Sequence, residues 1–130
     1  MFFRKDDATR RLNRAASIFC KPKERMENAR YVLSIHPDCA KAWYLLGLSL
    51  NCQSIDLGET DEHNQEILDC FRKAYDLEPG NFRYAEQYID FLVYTGQIGL
   101  ALPTLRDNKG LSLREFHRIK EGLKIDARYG

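Results

Sequence analysis

The stretch Cys39-Ala40-Lys41-Ala42-Trp43-Tyr44-Leu45-Leu46-Gly47-Leu48-Ser49-Leu50 decides the fold. Its apolar residues, Ala42, Trp43, Leu45, Leu46, Leu48 and Leu50, occupy nearly the whole circumference of a helix, as expected of an element covered by neighbours on more than one side. Toward the N-terminus, Met26, Ala29, Val32, Leu33 and Ile35 keep helical spacing until Pro37. Its ring forbids a continuing hydrogen bond and pushes His36 out of the helical region. Asp38 then stands where it can cap the central helix. Earlier still, Ala8, Leu12, Ala15 and Phe19 form a stripe that stops at Cys20-Lys21-Pro22, and Pro22 is suited to open the next helix. Toward the C-terminus, Ser54-Ile55-Asp56-Leu57-Gly58-Glu59-Thr60 breaks the pattern and reads as a loop. A fourth helix begins near Asp61 with Ile67, Leu68, Phe71, Ala74 and Tyr75 inward, and Pro79-Gly80-Asn81 closes it. Asn81 can cap a fifth helix carrying Phe82, Ala85, Tyr88, Ile89 and Leu92, which Gly96 ends in a left-handed cap. Ile98, Ala101, Leu102 and Leu105 make a sixth. Ser112 with Glu115 is a capping-box signature for a seventh, over about 112–127. No stretch shows the alternation and β-branched enrichment of a strand.

The second half of that pattern returns on a period of 42 residues. Val32-Leu33-x-Ile35-x-Pro37 aligns with Ala74-Tyr75-x-Leu77-x-Pro79, and Trp43 then corresponds to Ala85, so the unit is a helix pair. Within it, Trp43-x2-Leu46-Gly47-x2-Leu50, then Ile67-x3-Phe71-x2-Ala74, then Pro79, resembles the tetratricopeptide-repeat family, whose pattern is W-x2-L-G-x2-Y, A-x3-F, P. Leu50 stands in place of the Tyr and Ile67 in place of the small Ala, and about eight extra residues separate the two halves. The resemblance implies an all-α, right-handed α-solenoid: about three antiparallel helix pairs plus a C-terminal capping helix, about seven helices in a single domain over 1–130. Its first copy covers 6–37 and matches few consensus positions. The second covers 38–81 with an enlarged inter-helix loop, the third 82–108, and the cap 112–127. In this scheme Gly47 lets two helices approach closely while Trp43 and Phe71 fill the gap between pairs.

Composition sets the class of function. A chain of 130 residues, 44% apolar and 30% charged with a formal charge of +1, closes one domain and offers no net field suited to nucleic acid. No run of about 18 apolar residues exists to span a membrane, and Met1-Phe2-Phe3-Arg4-Lys5 is not a secretory signal. A cytoplasmic setting is therefore expected, without nucleic-acid or membrane partners. The four cysteines, Cys20, Cys39, Cys52 and Cys70, have no C-x-x-C pair and read as reduced core thiols. Charge is nonetheless segregated. Residues 1–25 hold eight Lys or Arg against three acids, whereas 56–78 hold eight acids against Arg72 and Lys73.

Catalysis has little to rest on. His36-x-x-Cys39 is the only pair at metal-like spacing, and two ligands do not make a zinc site. The acidic pair Asp61-Glu62 reads as part of a solvated loop rather than as an acid–base site. There is no G-x-S-x-G, P-loop or G-x-G-x-x-G. No enzyme activity, metal or cofactor is expected. The family resemblance instead implies a concave surface lined by the first helix of each pair. It places Lys41, Tyr44, Leu48 and Asn51 there from the second copy, Arg83, Glu86, Asp90 and Val93 from the third, and Arg10 and Arg14 from the first. Such a surface suits a short amphipathic helix or an extended peptide of another protein, as in an adaptor or chaperone-like module. Leu45 stands where a carboxylate-clamping Asn would be needed, so that mode is not expected. From Leu102 onward seven Lys or Arg again outnumber four acids, so a self-assembling scaffold, basic ends against acidic middle in a homo-oligomer, is the alternative, and a regulatory piece of a larger system a third. The 54–60 segment is either a partner contact or a tolerated insertion.

Overall fold

In a computed structural model the chain is described at residues 2–58 and 60–108. Six helices follow one another, with no strand among the described residues: α1 (Phe2–Ala16), α2 (Pro22–Ile35), α3 (Ala40–Leu57), α4 (Asp61–Leu77), α5 (Phe82–Tyr94) and α6 (Ile98–Asp107). The fold class is all-α, as the spacing predicts. The proposed capping helix over 112–127 lies outside the described residues. Contacts divide the chain into two compact units, Met1–Leu77 and Glu78–Gly130.

In the first unit α1 packs on α2, α2 on α3 and α3 on α4, and α1 also touches α3. Connections of only a few residues turn each helix back along its predecessor. The breaks are set by local chemistry. Pro22 sits in the first turn of α2, where a missing N–H costs nothing, and α2 ends at Ile35 with the His36 N–H on the Val32 carbonyl at 2.7 Å. Cys39, not Asp38, holds the N-cap position of α3, and no side chain caps that helix.

α3 corrects the enlarged loop. It runs to Leu57 and stops at Gly58, whose φ of +88° suits a residue without Cβ. Most of the extra length in the second repeat therefore lengthens the helix rather than forming a loop. Thr60 then opens α4: its hydroxyl accepts from the His63 N–H at 3.1 Å and its carbonyl from the Asn64 N–H at 3.0 Å. His63 Nε2 donates to the Leu50 carbonyl at 2.9 Å, tying the start of α4 to α3.

The close approach of α3 and α4 has a single cause. A Cβ on Gly47 would lie 2.6 Å from Phe71 Cε1 and 2.8 Å from Cδ1, so the Phe71 ring occupies the space that any other residue would fill. That ring is fully buried, with Ile67 and Ala74 of α4, and Leu46 and Leu50 of α3 join the same core. Trp43 behaves differently from its expected gap-filling role. It is half-buried, its Nε1 donates to the Pro37 carbonyl at 2.8 Å, and the Lys73 ammonium sits 4.2 Å from its ring centroid. Trp43 pins the α2–α3 turn.

The second unit pairs α5 with α6. Asn81 caps α5 by accepting from the N–H groups of Arg83 and Tyr84 at 3.1 and 3.4 Å. At the other end Gly96, with φ +78°, completes a Schellman motif: its N–H reaches the Val93 carbonyl and that of Gln97 the Leu92 carbonyl. Ala85, Ile89, Leu92 and Ala101 are fully buried, whereas Phe82 and Leu102 are exposed.

Candidate functional site

The α3 face takes shape from what the core leaves over. Between Ala40 and Leu50 every residue is buried except Lys41, Trp43, Tyr44 and Leu48. Trp43 is engaged by the preceding turn, so Lys41, Tyr44 and Leu48 remain, continued one turn on by the half-buried Asn51. Spacings of three and four put them in one stripe. Tyr44 is held from beneath, its ring tilted 49° against Phe71 with centroids 6.2 Å apart. Leu45, the would-be clamp position, is buried.

Sequence reasoning overlooked one member of this stripe. Cys52, assigned to the core, is exposed and lies four residues after Leu48 on the same side of α3. Helical arithmetic alone would have found it. Cys20 and Cys70 are buried, as expected, and Cys39 is half-buried. Burial pushes the Cys70 thiol up to about 12, so it stays protonated and unreactive while Cys52 is open to reagents.

Arg10 and Arg14 are both exposed, but Arg10 pairs with Asp7 within α1 and Arg14 reaches Glu24 of α2 at 2.7 Å. That contact holds the Glu24 carboxyl below its usual range. Arg11, between them, lies over the Tyr31 ring at 4.3 Å and donates to Asn28 Oδ1 at 3.4 Å. In the second unit α5 repeats the α3 stripe in its own setting, with Arg83 exposed, Glu86, Asp90 and Val93 half-buried, and Tyr94 exposed in the register of Cys52. Among the described residues no cluster of three or more His, Cys, Asp or Glu side chains is placed to hold a metal.

Successive packed helices, one pair of them joined by a Gly47–Phe71 contact, point to a repeat architecture, and comparison with known structures agrees. The chain has a helical-repeat fold. It is similar to a point mutant of the O-GlcNAc transferase of Thermobaculum terrenum, with a TM-score of 0.69 and 23% identity over 98% of this chain. That neighbour is a tetratricopeptide-repeat protein, and the likeness falls in its repeat region. This chain spans 23% of the neighbour's length. No family model and no curated relative matches the sequence. The likeness carries the fold alone.

Proposed function

We propose that this chain is a protein-interaction module, an adaptor or chaperone-like part that cradles a peptide or a helix of a partner protein on the α3 stripe. One observation carries the reading: α3 is buried on nearly all sides, yet keeps a line of one cation, one aromatic, one aliphatic and one amide side chain open. A helix with no binding role would need only charged and polar groups on its remaining exposed arc. Tyr44 and Leu48 supply apolar contact, and Lys41 and Asn51 fix polarity and direction, the mixture that an amphipathic helix or extended segment recognises. Hot-spot energetics favour this composition, because a rigid aromatic already supported by Phe71 loses little freedom on binding.

The test is titration calorimetry against a partner recovered by affinity purification from the native cell. Leu48→Ala and Lys41→Glu, both outside the Gly47–Phe71 contact, should weaken binding by about tenfold or more while circular dichroism stays unchanged. Undiminished affinity in both folded variants would remove α3 as the docking face.

A further inference from the structure

The turn between α1 and α2 presents two adjacent large apolar side chains to solvent. Ile18 is 87% and Phe19 83% exposed, well above the next most exposed large apolar residue among the described ones, Tyr94 at 62%. Phe19 was expected to continue the α1 stripe. α1 instead ends at Ala16, and the next four residues form a fixed turn that turns Phe19 outward. The fixing is thorough. The Ser17 N–H reaches the Arg14 carbonyl and the Cys20 N–H the Ser17 carbonyl, each at 3.1 Å, and the Phe19 N–H donates to Ser17 Oγ at 3.2 Å. From α2, the Arg25 guanidinium donates to the carbonyls of Ala15 at 2.9 Å and of Ser17 and Cys20 at 3.4 Å. A loop free to fold its apolar groups inward would do so; this one is held with them out.

The residues that follow the turn carry two cations. Lys21 and Lys23 are exposed, stand two and four residues beyond Phe19, and enter no ion pair among the described residues. Glu24, the one acid between Asp7 and Glu27, is neutralised by Arg14. We propose that this turn is a membrane-surface tip: Ile18 and Phe19 enter the headgroup layer of an anionic bilayer while Lys21 and Lys23 meet lipid phosphates.

Area argues for a bilayer over a protein groove. Two side chains on a convex turn can cover only about 300–400 Å², against the roughly 800 Å² that each partner buries in a standard protein interface. A bilayer needs no shape complement and rewards insertion of apolar groups beside cations. No described helix is long and apolar enough to cross a membrane, so the contact is peripheral. It revises the expectation of no membrane partner and is independent of the α3 stripe.

The experiment is flotation of the full chain with phosphatidylcholine vesicles, with and without phosphatidylserine. Binding is expected only with phosphatidylserine and at low salt, weakened about tenfold or more by Ile18→Ser with Phe19→Ser and in part by Lys21→Glu with Lys23→Glu. Phe19→Trp gives a second readout. Its emission should shift to the blue and be quenched by brominated lipid, whereas the parent, with Trp43 alone, should show neither change. Absence of flotation at low salt, or flotation indifferent to the Ile18 and Phe19 changes, overturns the proposal. So does burial of Phe19→Trp in a lipid-free self-associated or protein-bound state.

Discussion

The two helix pairs of the first unit share an architecture and differ in what holds them. α3 and α4 are joined by interlocking apolar groups: Phe71 against Gly47, with Ile67, Leu46, Leu50 and Ala74 around them. α1 and α2 bury mainly alanines at Ala8, Ala15 and Ala29 and are cross-linked by polar groups, Arg14 to Glu24, Arg11 to Asn28 and Tyr31, and Arg25 to three carbonyls. A large ring in a glycine notch gives shape specificity and a high cost of removal. Polar bridges at a surface give register at modest energy. The same topology is thus reached by two chemistries, and only the first leaves a consensus that can be read along the chain.

The largest effect should come from the notch. Phe71→Ala is expected to destabilise by about 3–5 kcal/mol, since it empties a fully buried site that the rigid hairpin cannot close. Gly47→Ala gains about 1 kcal/mol in helix propensity and loses about 1–3 kcal/mol to overpacking against the ring, for a net loss. In a Phe71→Leu background the obstructing ring atoms are gone, so Gly47→Ala should become neutral or stabilising. Urea unfolding followed by circular dichroism measures this cycle. Additive costs would show that the notch is not what couples α3 to α4.

The first pair should respond less to any one change. Arg25→Ala removes a forked donor from three carbonyls at the end of α1 and should cost about 1–2 kcal/mol, with Arg25→Lys restoring only part of it because an ammonium cannot span the same acceptors. Amide hydrogen exchange should locate the loss in residues 14–20. A loss spread evenly over α3 and α4 would contradict the division between the pairs.

How much of this was visible beforehand follows from the range of each signal. Pro22, Pro37 and Gly96 act through their own backbone and Asn81 through a side chain that reaches only two or three residues on, and each boundary they announce is where it was expected. Gly47 and Phe71 were legible because their types match their spacing. The end of α1 was not, since it depends on Arg25, ten residues from Ala15, and apolar periodicity carried the stripe on to Phe19. The continuation of α3 through Ser54 and Asp56 was also missed. Those residues are indifferent helix formers, but extending a helix already packed on α2 and α4 costs little once nucleation is complete. In the candidate site, Lys41, Tyr44, Leu48 and Asn51 were grouped by the resemblance of the second copy to the repeat pattern. The engagement of Arg14 with α2 required knowing which residues α2 brings opposite it.

The finest distinction between the pairs is in acid. Tyr31 first, and then Arg10, hold the Asp7 carboxyl below its ordinary 3.8, and Arg14 holds Glu24 below its ordinary 4.5. A carboxyl with a depressed native value stabilises the fold at every pH above its unfolded value, and the contribution is lost as pH falls through the native one. Between neutrality and about pH 5 the first pair should therefore be unchanged, and below about 4.5 it should loosen progressively as Glu24 and Asp7 take up protons. Both groups are solvent-exposed, so the change is small, and salt should reduce it by screening the same contacts. Arg14, whose own value is raised, stays charged throughout this window and adds no slope. Hydrogen exchange in acid, referenced to pH 6, should show α1 and the start of α2 losing protection before the Gly47–Phe71 region does. Glu24→Gln should remove most of the difference at that helix end. If α4 lost protection first, the second pair would depend on its own carboxylates more than on the buried ring, and the contrast between a polar and an apolar pair would not hold.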